Sequence, residues 1–125
     1  MEIKREENNY REHVARAKEN AQLGVELREA FALQKTLHES EIKKLSRMEK
    51  LARQIRNRAG GEDDKDEAKD PPPLLETAIG RLAEISEELQ KKVETTPRQI
   101  VSAAVIKRAN EVIELIKYIR LHYRS

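Results

Sequence analysis

Seven cations, Lys43, Lys44, Arg47, Lys50, Arg53, Arg56 and Arg58, fall within 16 residues whose only acid is Glu49. On a helix, cations at this density make a positive surface that can hold phosphates by releasing counterions, or receive an acidic protein segment. Reading a base would need more. No aromatic side chain is interleaved to stack on one, and no helix-turn-helix or other reading motif accompanies the run, so nucleic acid is disfavoured. The same charges also suit a solvated face near a helix C-terminus. One acidic partner is built in, because Glu62, Asp63, Asp64, Asp66 and Glu67 follow directly at high local concentration. The expectation is that this segment folds back over the basic face.

Other chemistry finds fewer residues to stand on. The absence of Cys excludes a disulfide framework, a thiolate metal site and a cysteine nucleophile. A di-iron carboxylate bundle needs Glu-x-x-His pairs, and none of His13, His38 and His122 has Glu three positions before it. His38-Glu39-Ser40-Glu41-Ile42 begins like a zinc-protease helix, but Ile42 stands where the second His must be. The three imidazoles therefore read as structural. There is no nucleophile elbow, no phosphate-binding glycine loop and no dinucleotide fingerprint. Ser102 has no nearby His and reads as a small packing residue, while Gly24 and Gly80 read as points of close helix contact. No catalytic residue, metal ligand or cofactor site is expected, and the chain is expected not to be an enzyme.

The elements that would carry the basic run are helical. Charged and apolar residues each make up 38% of the 125 positions, and Phe31, Tyr10, Tyr118 and Tyr123 are the only aromatics, so the core must be aliphatic. One domain is the limit at this length. The longest apolar run, Ile100 to Ile106, is too short to span a bilayer. Met1-Glu2-Ile3-Lys4-Arg5 lacks the apolar core of a signal peptide. The chain is cytoplasmic if Met1 is native, and periplasmic or secreted if a signal was removed. Residues 1–58 carry 14 Lys and Arg against 10 Asp and Glu, residues 59–73 carry 2 against 6, and residues 74–125 carry 9 against 7. The middle piece is the acidic one, so it cannot fill a core and reads as a disordered, proline-ended linker. Gly60 suits the left-handed residue that ends a helix.

Four helices follow from the periodicity. Residues 9–35 carry Tyr10, Val14, Ala17, Ala21, Gly24 and Phe31 as one stripe, with Asn9 and Glu12 as a loose capping box. Thr36 with Glu39 caps a second helix over 37–58, whose buried face is Ile42, Leu45, Met48, Leu51 and Ile55. Residues 74–94 present Leu75, Ala78, Leu82, Ile85, Leu89 and Val93, a bundle seam. Thr96-Pro97-Arg98-Gln99 reads as the cap of a fourth helix over 97–123, with a broad apolar face that includes Val101, Val105, Ala109, Val112, Ile116 and Ile119.

The two halves resemble one another. Glu26-Leu27 sets on Glu88-Leu89, and Ile42-Lys43-Lys44 on Ile106-Lys107-Arg108, which pairs Leu51 with Leu115, Ile55 with Ile119 and Arg56 with Arg120. The offset is 62 in the first helix of each half and 64 in the second. Amphipathic helices also resemble one another by chance. Glu88, Leu89, Arg98, Val101, Ser102, Lys107, Ile119 and Arg120 further match a pattern in uncharacterised, predicted-secreted small helical proteins of soil bacteria, which the stretch from Glu88 to Arg120 resembles. That resemblance implies a helical fold and hints at export, and carries no activity.

The expected architecture is all-α: two related helical hairpins, 1–58 and 74–125, forming a four-helix antiparallel bundle closed within one chain or completed by a second. The expected role is a non-enzymatic interaction or scaffolding module, joining a second copy or another helical protein. The alternative is anion or nucleic-acid binding through the basic face of the second helix.

Overall fold

In the computed structural model, residues 2–61, 72, 74–97 and 102–124 are described, the side chains of 2–6, 123 and 124 excepted. They form four helices: α1 (Glu2–Gln34), α2 (Glu39–Arg58), α3 (Leu75–Thr95) and α4 (Ala103–Arg124). Among the described residues there is no strand, and no helix is long and apolar enough to cross a membrane. α1 packs on α2 and α3, and α4 packs on α2 and α3, and among the described residues neither diagonal pair of helices comes into close backbone approach. Neighbours run antiparallel. Tyr10 lies by Glu94 and Asn20 by Ser86 between α1 and α3. Glu19 meets Arg47 and Glu26 meets Lys44 between α1 and α2. Arg56 meets Asn110 and Ser46 meets Arg120 between α2 and α4. The result is an all-α antiparallel four-helix bundle, closed within one chain.

The core is aliphatic, as composition requires. Leu27, Leu45, Met48, Leu51, Ile55, Ile79, Leu82, Leu89, Ile113, Ile116 and Ile119 are all shielded from solvent. Each such side chain stabilises the fold by about 1.5–3 kcal/mol relative to leaving it exposed. α1 contributes mostly small residues. Ala17, Asn20, Ala21 and Gly24 are buried, and a Cβ added to Gly24 would lie 3.2 Å from the Ala83 Cα. That is the close helix contact its sequence suggests. Gly80 is a correction: an added Cβ there meets nothing within 4 Å, so close packing does not account for it.

Helix ends depart from the sequence reading in instructive ways. α1 begins at Glu2, so Asn9 lies inside it rather than capping it. It ends with Lys35 at φ 60, whose N–H donates to the Phe31 carbonyl at 2.8 Å. The second helix starts two residues after the expected Thr36 box. His38 is its cap, and the Glu41 carboxylate accepts the His38 N–H at 2.9 Å, with Leu37 and Ile42 in the flanking positions of a hydrophobic staple. α2 closes on glycine, with Gly61 N–H donating to Arg56 O at 2.9 Å and Gly60 N–H to Asn57 O at 3.1 Å, and Gly60 at φ 89. This is the left-handed stop anticipated at Gly60.

At the fourth helix the expected cap is overturned. Thr96 turns its hydroxyl back to donate to the Lys92 carbonyl, so it serves the end of α3, and Pro97 is not helical. α4 starts at Ala103, where the Ser102 hydroxyl oxygen accepts the Val105 N–H at 3.2 Å. Ser102 is thus a cap and not a packing residue. Arg98, Gln99 and Val101 lie outside the described residues, as does the acidic run from Glu62 to Asp70. Pro72, expected in a linker unable to fill a core, is buried, and its carbonyl accepts the Tyr118 hydroxyl.

Buried positions recur between hairpins with the offsets noted in the sequence. Ala17, Asn20, Ala21, Gly24, Leu27 and Phe31 correspond to Ile79, Leu82, Ala83, Ser86, Leu89 and Val93, all buried. Glu41, Leu45, Met48, Leu51, Ala52 and Ile55 correspond to Val105, Ala109, Val112, Leu115, Ile116 and Ile119, again all buried. The polar contacts repeat as well. Glu26–Lys44 at 3.3 Å corresponds to Glu88–Arg108 at 3.2 Å. Arg56 with Asn110 corresponds to Arg120 with Ser46.

The two exceptional glycines make opposite predictions. Gly80→Ala adds helix propensity at an open position and is expected to raise stability by about 1 kcal/mol in urea unfolding. Gly60→Ala forces a Cβ into the left-handed region and is expected to lower it by about 1 kcal/mol.

Candidate functional site

The cations of α2 were the first candidates, and the fold uses most of them internally. Arg47 grips Glu19 with two parallel bonds, Nε to Oε2 at 2.7 Å and a terminal nitrogen to Oε1 at 3.0 Å. That pairing holds the Glu19 carboxyl below its usual range and raises the guanidinium. Lys44 meets Glu26 at 3.3 Å, and Lys43 stands 3.9 Å from Glu39 along its own helix. Arg53 and Arg120 converge on Glu49, Arg53 at 2.8 Å. Burial pushes Glu49 up, but the two guanidiniums more than offset it and hold the carboxyl low.

Arg56 is the surprise among the seven. It is only 6% exposed and donates to Asn110 Oδ1 at 3.3 Å and to Asn57 Oδ1. A guanidinium this deep belongs to the α2·α4 contact and presents nothing to a partner. Lys50 and Arg58 remain exposed, with no hydrogen-bond or ion-pair partner among the described residues. Of the seven cations read from the sequence, Lys44, Arg47 and Arg56 tie α2 to its neighbours, Lys43 and Arg53 meet acids on α2 itself, and two are left over.

One of those two borders a pocket. At the end of the bundle where α2 and α3 stop and α4 starts, a cavity of about 30 Å³ is lined by Tyr10, His13, Arg58, Ala59, Val93, Thr96, Pro97, Ser102 and Val105. It has room for a water or two, and none for an organic substrate. His13 Nδ1 is shielded from solvent there and has no partner among the described residues. Burial, then the charges of Arg58 and Arg16, lower the imidazole to about 4 from its ordinary 6.5. The sequence reads this histidine as structural, because the residues that surround it arrive from three other helices. Tyr10, three residues earlier, was the one local signal, sharing the face of α1 that turns toward the end of α3.

The opposite end of the bundle is different in kind. Leu33, Leu74 and Leu121 are 85%, 63% and 70% exposed. They stand at the C-terminus of α1, the start of α3 and the C-terminus of α4, which the antiparallel packing brings to one end. Among the described residues, no group of three or more His, Asp or Glu could hold a metal ion. Comparison with protein-family models, with curated proteins and with solved structures found no match to this chain.

His13 sets a pH dependence whose sign is fixed by the direction of its shift. Its folded value lies below the unfolded one, so the unfolded chain takes up the proton first. Stability from this group is complete above about pH 6.5 and is lost as pH falls toward about 4. Glu19, Glu41 and Glu49 are held low, so their contribution is lost only below their ordinary 4.5. Urea midpoints measured from pH 7 to pH 5 are expected to fall in the native chain, and to stay nearly flat over that interval in His13→Gln.

Proposed function

We propose that this chain is a non-enzymatic helical interaction module that joins a second copy of itself through its leucine-bearing end. Three large aliphatic side chains exposed at the same end of the bundle carry the reading. Contiguous exposed apolar patches mark contact surfaces, whereas single exposed leucines are ordinary.

The correspondence of buried positions and ion pairs supports a further part of this reading, that the module arose by duplication of one hairpin. A hairpin alone cannot bury its apolar face, and two of them related by a two-fold axis across the bundle can. In this reading the ancestral unit was already a self-associating one. The anion-binding alternative draws less support from α2, most of whose cations meet acids within the fold.

Sedimentation of the full chain over a range of concentrations tests the proposal. A shift from monomer toward dimer is expected, and Leu33→Glu with Leu121→Glu is expected to abolish it at unchanged helical content. A native chain that stays monomeric up to millimolar concentration would overturn self-association through this end.

A further inference from the structure

The two ends of the bundle correspond in position under the hairpin alignment but carry different residues, and the difference at His13 is informative. His13 corresponds to Leu75, which is half-buried and packs against the core. At the equivalent place in α1 stands an imidazole whose Nδ1 is shielded and unpartnered. A buried polar atom without a partner costs about 1–3 kcal/mol, a cost that the leucine at the other end avoids. Such a departure from the cheaper solution, at one end of a repeated structure, is where a functional site is expected.

The groups around His13 share one chemical character. Arg58 of α2 borders the same cavity with no hydrogen-bond or ion-pair partner among the described residues. The Tyr10 hydroxyl, also on the lining, has a single long contact, 3.5 Å to the Glu94 carbonyl, and so is a donor only weakly committed. Ser102 uses its oxygen to accept the Val105 N–H, which leaves its hydroxyl hydrogen to donate. From α1, Arg16 adds positive charge, partly met by Glu12 at 3.5 Å. α3 brings no carboxylate to the cavity lining. The lining thus offers donors and positive charge. We infer that this end pocket, built on His13, Arg58, Tyr10 and Ser102, is a binding site for a small oxyanion, two of whose oxygens enter the cleft while its body stays in solvent.

Occupancy and protonation are linked in this site. An anion beside Nδ1 offsets the cost of the imidazolium, so binding raises the proton affinity of His13 and strengthens as pH falls through the range above its depressed value. The inference is independent of the leucine end, which lies at the other extreme of the bundle.

Sulfate is the probe, because it remains a dianion over the range used. Imidazole resonances of the full chain are followed by NMR during sulfate titration at constant ionic strength, at pH 5.5 and pH 7.5. A saturable shift at His13 with none at His122 is expected, severalfold tighter at the lower pH. Arg58→Gln, an exposed change that leaves the helices intact by circular dichroism, is expected to weaken binding about tenfold, the loss of one charge-assisted bond. His13→Leu is expected to raise the unfolding midpoint, and sulfate at constant ionic strength is expected to raise the midpoint of the native chain more than that of His13→Leu. A diffuse, unsaturable shift spread over the basic residues means an adventitious ion only and overturns the site. So does binding that Arg58→Gln leaves unchanged, or a His13→Leu chain less stable than the native one, which would make the imidazole structural.

Discussion

The approach of α1 to α3 at Gly24 and Ala83 governs the rest of the structure. Two hairpins can share a core only if their first helices come close, and α1 permits this by lining its inner face with Ala17, Ala21 and Gly24. With that spacing set, Asn20 reaches Ser86 at 3.2 Å, and the antiparallel register of the whole bundle follows from it. α2 and α4 then meet along the opposite side. Their contact is fastened near both ends by Arg56 with Asn110 and Arg120 with Ser46. A larger side chain at Gly24 would press on backbone, which has nowhere to retreat.

Electrostatics in this bundle mostly serves the joining of helices. Arg47 with Glu19, Lys44 with Glu26 and Arg108 with Glu88 each tie two helices at the rim of the core, where water screens them and each stabilises by no more than about 1 kcal/mol. Their placement matters more than their strength. Lys44 with Glu26 and Arg108 with Glu88 stand at matched positions in the two hairpins, and the ties of α2 remove from the surface charge that a reading of that helix alone assigns to a partner.

How much of this was legible before the fold was known depends on the range of the signal. The helices, their apolar faces, the stop at Gly60 and the correspondence of the halves are local or periodic, and a single chain displays them. The caps were less accessible. Thr96 and Ser102 both suit a helix start, and the choice turned on Thr96 reaching back to Lys92. Thr36 lost to His38 in the same way, because Leu37 had to be buried first. The site was hardest to read. Cations at helical spacing look alike whether a solvated anion or a glutamate on the next helix awaits them. His13 gained its character only when α2, α3 and α4 closed around it.

The Asn20 and Ser86 contact has a consequence for how the chain avoids pairing wrongly with its own kind. Because the hairpins correspond, the first hairpin of one molecule could dock on the first hairpin of another during synthesis. In that arrangement Asn20 would face the position held by Gly24, which has no side chain to receive its amide. Two second hairpins would set the Ser86 hydroxyl against Leu82 instead. Only the unlike pair gives both polar groups a partner. The difference between the halves at this one contact thus favours the pairing of unlike hairpins.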